Sequence, residues 1–238
     1  MRVLVTAGNT REKIDQVRDW GNIFTGNTGF SIARAVAEVA EVDLLTSNQA
    51  HLRELAEPQT TKHPIHASGF TSHGELKGAL AALMARHRFD AIFMTAAVAD
   101  YQPERVFAVI ERTPTLAAGE ERWLVQDVQA GKVKSTHKHI AILGRQTEKL
   151  VDLFRTVWKH EGLLVKFKLE VGISKDELIR VGQTSRKSSG ADYLVANTLD
   201  MVSGENAGAY LLSDNGTKWV ARHELPQMMA QLVQSRQQ

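Results

Sequence analysis

The chain reads as an α/β protein, a Rossmann-like parallel sheet with helices on both faces and a β-arm for dimerisation. Three observations predict this. Short apolar runs alternate with amphipathic stretches along most of the 238 residues. The alternation fails over one stretch, 102–134, and near the end Asn215-Gly216 separates two apolar runs, a strong hairpin signal.

Taken in order, Val3-Leu4-Val5 is a buried strand, 30–37 a helix and 42–46 a second strand, which together make a βαβ unit. A helix over 75–87, a strand at 91–95, a helix over 148–160 and a strand at 163–167 continue the pattern. A helix over 175–188 and a strand at 193–196 complete it, and such alternation argues for a parallel sheet covered on both faces. The hairpin arms are 209–213 and 218–221, and an amphipathic helix over 225–233 ends in a polar tail. The odd stretch, 102–134, holds Pro103 and Pro114, the run Val106-Phe107-Ala108-Val109-Ile110 and the run Trp123-Leu124-Val125. A structureless segment of that length is unusual inside a domain, so it is read as a projecting arm or a lid. Internal repeats and low-complexity linkers are absent, which favours one domain over 1–238.

Composition narrows the function classes. The apolar runs are far shorter than the roughly 20 residues that span a bilayer, and Met1 leads into a strand rather than a signal peptide. A cytoplasmic protein with no membrane partner is expected. With no cysteine, thiolate catalysis, disulfides and Cys-based zinc sites are excluded. A formal net charge of +2 gives no nucleic-acid footprint, so no nucleic-acid partner is expected.

In open parallel sheets ligands sit beyond the carboxyl ends of the strands, where loops and helix N-termini present backbone amides. Four motifs fall there: Thr6-Ala7-Gly8-Asn9-Thr10-Arg11, Ala96-Ala97-Val98-Ala99-Asp100-Tyr101, Phe167-Lys168-Leu169-Glu170 and Ala196-Asn197-Thr198. A second glycine-bearing loop, 22–29, precedes the first helix. Taken singly, each has a plain structural reading: Gly8 as a turn residue, Gly26 and Gly29 as relief of crowding, Asp100 as a turn brace, Phe167 as core, Lys132 as a solvated charge. Their convergence on one sheet edge favours a site. The dinucleotide fingerprint G-x-G-x-x-G and the Walker loop are both absent. His63 with His66 and His137 with His139 lack a carboxylate at ligand spacing, so surface imidazoles are the better reading and the metal ligands stay unknown.

The motif series Thr6-Ala7-Gly8-x-Thr10-Arg11-Glu12-x-Ile14-Asp15-x-Val17-Arg18, then Asn22, Gly26 and Gly29, then 96–101, Gly131-Lys132-Val133-Lys134-Ser135, Phe167-Lys168-Leu169-Glu170 and Ala196-Asn197, resembles the phosphopantothenoylcysteine synthetase family of coenzyme A biosynthesis. The match runs in order from Val3 to about Ser213 and resembles the stand-alone form, so no flavin is expected. The resemblance implies a ligase. It activates 4′-phosphopantothenate with CTP or ATP as an acyl-nucleotidylate, then joins it to cysteine, with Mg²⁺ carried mainly by the triphosphate. It further implies Asn22 and Lys132 as catalytic, and Gly8, Gly26, Gly29, Lys134, Phe167 and Asn197 around the nucleotide. Ala96, Ala97 and Asp100 would border phosphopantothenate, and Arg18 would reach the phosphate in a neighbouring subunit of a homodimer.

Two departures from the family pattern stand out. The loop 22–29 lacks the usual serine hydroxyl and cation, and the lysines expected on the helix before the last parallel strand are replaced by Ser185 and Ser189, with Arg186-Lys187 nearby. The alternative reading is therefore a non-catalytic or regulatory nucleotide- or pantetheine-binding relative on the same scaffold.

Overall fold

In the computed structural model, strand β1 (Arg2–Ala7) leads into a small hairpin, β2 (Arg11–Lys13) and β3 (Asp19–Gly21), before helix α1 (Asn27–Val36). Next come β4 (Glu41–Thr46), α2 (Gln49–Ala56), β5 (Ile65–Gly69), α3 (His73–Arg86) and β6 (Ala91–Met94). β7 (Tyr101–Pro114), β8 (Glu121–Asp127) and β9 (Ile140–Gln146) leave the main sheet. The chain returns through α4 (Leu150–Thr156), β10 (Leu163–Glu170), α5 (Lys175–Ser188) and β11 (Tyr193–Thr198), then closes with β12 (Gly208–Ser213), β13 (Gly216–Ala221) and α6 (Leu225–Gln234). The structure describes all residues except 116, 118, 205, 206, 237 and 238. Leu116 and Ala118, within the odd stretch of the sequence, thus lie outside the described residues.

The main sheet has the order β13-β12-β11-β10-β6-β1-β4-β5. The six strands from β11 to β5 run parallel, and β12 and β13 add an antiparallel edge. Side-chain alternation along each strand divides the core into two layers. Val3, Val5, Val42, Leu44 and Val165 pack under α1 and α6, where Ile32, Val36, Met229 and Val233 are fully or almost fully buried. Leu4, Leu45, Ile92 and Leu164 face the other way, against Leu76 and Leu80 of α3 and Leu150 and Phe154 of α4. A smaller cluster joins Leu178 of α5 to Leu194 and Leu212. The expected doubly covered α/β sheet is therefore the one observed. No helix among the described residues is long and apolar enough to cross a membrane.

Within the stretch 102–134, the residues up to Asp127 supply two strands of a β-arm, with β7 pairing antiparallel to both β8 and β9. It extends further than the sequence indicated, because β9 forms its third strand. Its apolar run is also more mixed than a projecting arm requires: Val106 and Ala108 are buried, whereas Ile110, Trp123, Leu124 and Leu143 are half exposed or more. The buried pair sits where the arm meets the hairpin β2–β3. Gln129 there accepts from the Val106 amide at 2.9 Å and donates to the Ile14 carbonyl at 3.3 Å.

Candidate functional site

The chain passes from β1 to β4 and β5 on one side, then returns to place β6 on the other side of β1. That reversal opens a crevice between the loops leaving β1 and β6, the usual ligand position in such sheets. Backbone pairs hold the two loops together: Ala97 N–H donates to the Gly8 carbonyl at 2.9 Å and Thr10 N–H to the Ala97 carbonyl at 3.1 Å. Buried hydroxyls complete the join, with Thr6 Oγ1 accepting from the Thr95 and Ala96 amides and Thr10 Oγ1 from the Ala99 amide. The result is a cleft of about 590 Å³ that runs from the 22–29 loop to α5, a size suited to a small-molecule ligand.

The glycines of the 22–29 loop are explained by close approach. Gly26 caps α1 with φ +82°, and a Cβ there would land on the Gly8 backbone nitrogen and lie 2.9 Å from the Ala7 carbonyl carbon. Gly29, in the first turn, leaves room for Thr95 Oγ1 and for the Thr6 carbonyl, 2.8 Å from where a Cβ would be. Side chains brace the loop from behind. Asn9 donates to the Asn22 carbonyl, Asn48 to the Thr25 carbonyl at 3.0 Å, and His51 Nε2 meets Asn27 Oδ1 at 3.1 Å. The His51 ring stacks on Phe30 with centroids 4.2 Å apart. Burial pushes the His51 pKa down, which favours the neutral ring that these partners use. The start of α1 is thereby fixed with Asn27, Thr28 and Gly29 on the cleft wall.

Of the residues singled out in the sequence, Gly8, Asn22, Gly26, Gly29, Ala96, Ala97, Asp100, Phe167 and Asn197 all line this one cleft. Asn22 is exposed and uses its amide to donate to the Ala97 carbonyl at 3.1 Å, which links the second loop to the β6 exit. Arg18, Lys132 and Lys134 do not line it. Their segments are tied to each other instead, because buried Asp15 gathers them. Asp15 accepts from the Arg18 guanidinium, from the Val17 and Arg18 amides at 2.9 and 3.0 Å, and from the Val133 amide at 3.1 Å. Arg18 also donates to the Val133 carbonyl at 2.8 Å, and Gln16 N–H to the Gly131 carbonyl at 2.9 Å. Lys132, expected to be catalytic, therefore does not line the cleft of its own chain; its segment is docked on the hairpin.

This junction makes a testable statement about acid stability. The Arg18 guanidinium and the Val17 and Val133 amides hold the Asp15 carboxyl well below the usual carboxylate range, against the opposing effect of burial. A depressed native pKa gives stability that is complete above the unfolded value near 4 and lost as pH falls below it. Asp15→Asn should therefore lower Tm at pH 7, and the gap between variant and parent should narrow as pH drops below about 4. A gap that stays constant across thermal melts from pH 7 to pH 3 would rule out this linkage.

Sequence reasoning did not single out Lys166, which lines the cleft from β10 and is 8% exposed. Its Nζ donates to Ser185 O, Ser185 Oγ and Ser189 Oγ at 3.2, 3.0 and 2.7 Å. The available signal was a lysine following Leu163-Leu164-Val165 in a strand expected to be buried on both faces.

Comparisons with known proteins agree with this architecture. Residues 1–112 match the family model for the DNA/pantothenate metabolism flavoprotein C-terminal domain. The coenzyme A biosynthesis bifunctional protein CoaBC of Thermococcus kodakarensis is 28% identical over 93% of this chain and 47% of its own length. Its counterpart from Mycolicibacterium smegmatis is 29% identical over 97% of this chain and 50% of its own length. The chain spans about half the length of the curated relatives it matches. Among solved structures, the DNA/pantothenate metabolism flavoprotein from Streptococcus pneumoniae superposes with a TM-score of 0.77 at 23% identity, covering 99% of both chains. A Cab2 mutant in complex with phosphopantothenate-cysteine gives a TM-score of 0.66 at 15% identity, over 99% of this chain and 85% of that one. The family resemblance read from the motifs is borne out as a similarity: residues 1–112 match that family model, and nearly the whole chain is similar to about half of the coenzyme A biosynthesis proteins CoaBC.

Proposed function

We propose that the chain is a phosphopantothenate–cysteine ligase, which activates 4′-phosphopantothenate with CTP or ATP and then couples it to cysteine. The observation that carries this reading is the convergence of the Gly8 and 22–29 loops, the Ala96-Ala97 exit, Phe167 and Asn197 on one cleft, with Asn22 at the junction of its two loops. The Cab2 complex, in which a structural neighbour holds phosphopantothenate-cysteine, supports the substrate class.

The chemistry assigns each group a physical task. A carboxylate becomes an electrophile when its oxygen attacks the nucleotide α-phosphorus and pyrophosphate leaves; the cysteine amine then attacks the acyl carbon and expels the nucleoside monophosphate. Negative charge grows first at the phosphorus and then at the acyl oxygen, so fixed donors aimed at these positions lower both barriers. The amides at the start of α1 meet this need on the nucleotide side, as a helix N-terminus favours phosphate. Small Ala96 and Ala97 let the acyl chain lie against the β6 exit, and Asp100 borders it. The described residues contain no cluster of three or more His, Asp or Glu that could hold a metal ion; in this reading Mg²⁺ enters on the triphosphate oxygens. Pyrophosphate release should require 4′-phosphopantothenate together with CTP or ATP, and product formation should require cysteine as well. A folded chain that releases no pyrophosphate with either nucleotide would overturn the ligase reading in favour of the non-catalytic nucleotide- or pantetheine-binding one. That second reading draws on Asn22 already being bonded to Ala97 and on the distance of Lys132 and Lys134 from the cleft wall.

The proposal includes a homodimer in the cytoplasm, with Arg18 and the docked 131–134 segment presented to the neighbour's cleft. It is supported by the apolar side chains the arm leaves exposed, Ile110, Trp123, Leu124 and Leu143, since exposed apolar surface favours a partner. Mixing an inactive Arg18→Ala chain with an inactive Asn22→Asp chain should restore part of the activity, because one cleft of each mixed dimer would hold both original residues. Mixtures that exchange subunits without recovering turnover, or a fully active monomer in light scattering, would rule out shared sites.

A further inference from the structure

Four cationic side chains line the cleft: Lys149, Lys166, Lys168 and Arg222. Lys168 is paired with Glu170 at 2.7 Å, Arg222 donates to the Val202 carbonyl, and Lys149 is exposed. Lys166 differs from all three. It is 8% exposed, and its three hydrogen bonds go to neutral oxygens of α5 and its C-cap rather than to a carboxylate. The charged groups that act on it are Asp152 of α4, which favours the ammonium, and Lys149 and Lys168, which oppose it. Asp152 does not bond to it, and Asp152 Oδ1 is buried without a hydrogen-bond partner. Burial lowers the Lys166 pKa to about 8, so the side chain is still largely cationic at pH 7. A buried charge with no carboxylate bonded to it costs folding free energy that Asp152 offsets only in part, and an arriving anion would offset more of it.

The route to the cleft is the Ser185 hydroxyl. An oxygen that accepts from an ammonium turns its own proton elsewhere. Ser189 is buried behind the lysine, but Ser185 lines the cleft. We propose that Lys166 and Ser185 form an anion-binding position on the α5 side of the cleft, which takes a phosphate group of the nucleotide. Ser185 donates to the phosphate oxygen, and Lys166 supplies the positive charge behind it. Ser185 and Ser189 stand at the helix positions where the family resemblance leads one to expect lysines, and the cation bonded to them here comes from β10. This proposal rests on the nucleotide assigned to the cleft above.

The test is calorimetric titration of the folded chain with Mg-CTP, Mg-ATP and inorganic pyrophosphate. Lys166→Met should weaken triphosphate binding about 10- to 100-fold, as expected for loss of a buried charge-assisted contact. Its Tm should be no lower than the parent's, because a buried charge that no carboxylate bonds has been replaced by an apolar side chain of similar length. Ser185→Ala should weaken binding about tenfold, and the exchange Lys166→Ser with Ser185→Lys should recover much of the affinity. Parental affinity should also decline as pH rises above about 8, a trend that Lys166→Met abolishes. Triphosphate binding that is unchanged in Lys166→Met overturns the proposal and leaves the nucleotide reading intact. Should Lys166→Met lose Tm and affinity together, Ser185→Ala decides, and unchanged affinity there overturns the proposal. Lys166-dependent binding of pyrophosphate without binding of either nucleotide keeps the anion position but overturns the nucleotide reading; a parent that binds none of the three ligands overturns both.

Discussion

Asn22→Asp should reduce turnover by about 10²-fold or more, the scale of losing a preorganised donor, while the chain stays folded. The geometry gives two reasons. The Asn22 amide nitrogen lies 3.1 Å from the Ala97 carbonyl; a carboxylate oxygen in its place repels that carbonyl and separates the 22–29 loop from the β6 exit. The same oxygen adds negative charge where an acyl-nucleotidylate would already carry its own. Asn22 is exposed and its loop has independent braces in Asn48 and His51, so stability should change little. Single-turnover measurement of pyrophosphate release would give the size of the effect on the first step. Near-parental turnover in a folded Asn22→Asp protein would remove Asn22 from the chemistry.

Gly26→Ala is expected to have the largest effect on stability. An alanine at φ +82° carries backbone strain of order 1–3 kcal/mol, and its methyl would overlap the Gly8 backbone. Together these should cost about 2–4 kcal/mol, lowering Tm by on the order of 10 °C for a chain of this size. Gly119 provides the control, since it has the same φ of +82° but nothing within 4 Å of an added Cβ. Gly119→Ala should show the strain alone, so the difference between the two melts measures the cost of parting the two loops. Equal Tm losses would mean that the close approach of Gly26 to Gly8 contributes nothing.

The central strands were legible because burial on both faces makes them continuous apolar runs, as in Val3-Leu4-Val5 and Leu163-Leu164-Val165. The edge strand β5 was not. Its sequence, Ile-His-Ala-Ser-Gly, is largely exposed, and its strand state is imposed by pairing with β4. Helix α2 escaped for a related reason, burying only His51 and so carrying a weak apolar stripe. The third arm strand, β9, depends on β7, more than 30 residues earlier in the chain, and no local pattern announces that pairing. In the helix over 148–160, only Leu150–Thr156 is α-helical, and Lys149 rather than a capping residue precedes it.

The candidate site divides along the same line. Glycines and small residues at strand ends were readable because close backbone approach restricts the residue type, as Gly26 and Gly29 show. The positions of Arg18, Lys132 and Lys134 were not, because tertiary contacts set them: the Arg18 side chain follows Asp15 and the Val133 carbonyl, and the Val133 amide, bonded to Asp15, carries its two lysine neighbours with it. Lys166 was hidden for the same reason. Its direction is set by the strand face that α5 covers, which only the assembled sheet defines.

The strand order also has a consequence for the sequence in which the molecule is made. β1, β4, β5 and β6 form a contiguous half-sheet whose last residue is Met94, so these strands can join as soon as that length of chain is available. The other half begins at β10, where Leu163 pairs with Ala91 across the whole length of the arm. Closing so long an intervening segment costs chain entropy before any contact repays it, which makes such a step slow. The cleft takes Gly8, Asn22 and Ala97 from the early half and Lys166, Phe167 and Asn197 from the late one. During synthesis, the chain therefore carries half a binding wall, with the β6 edge unpaired, until β10 arrives to complete it.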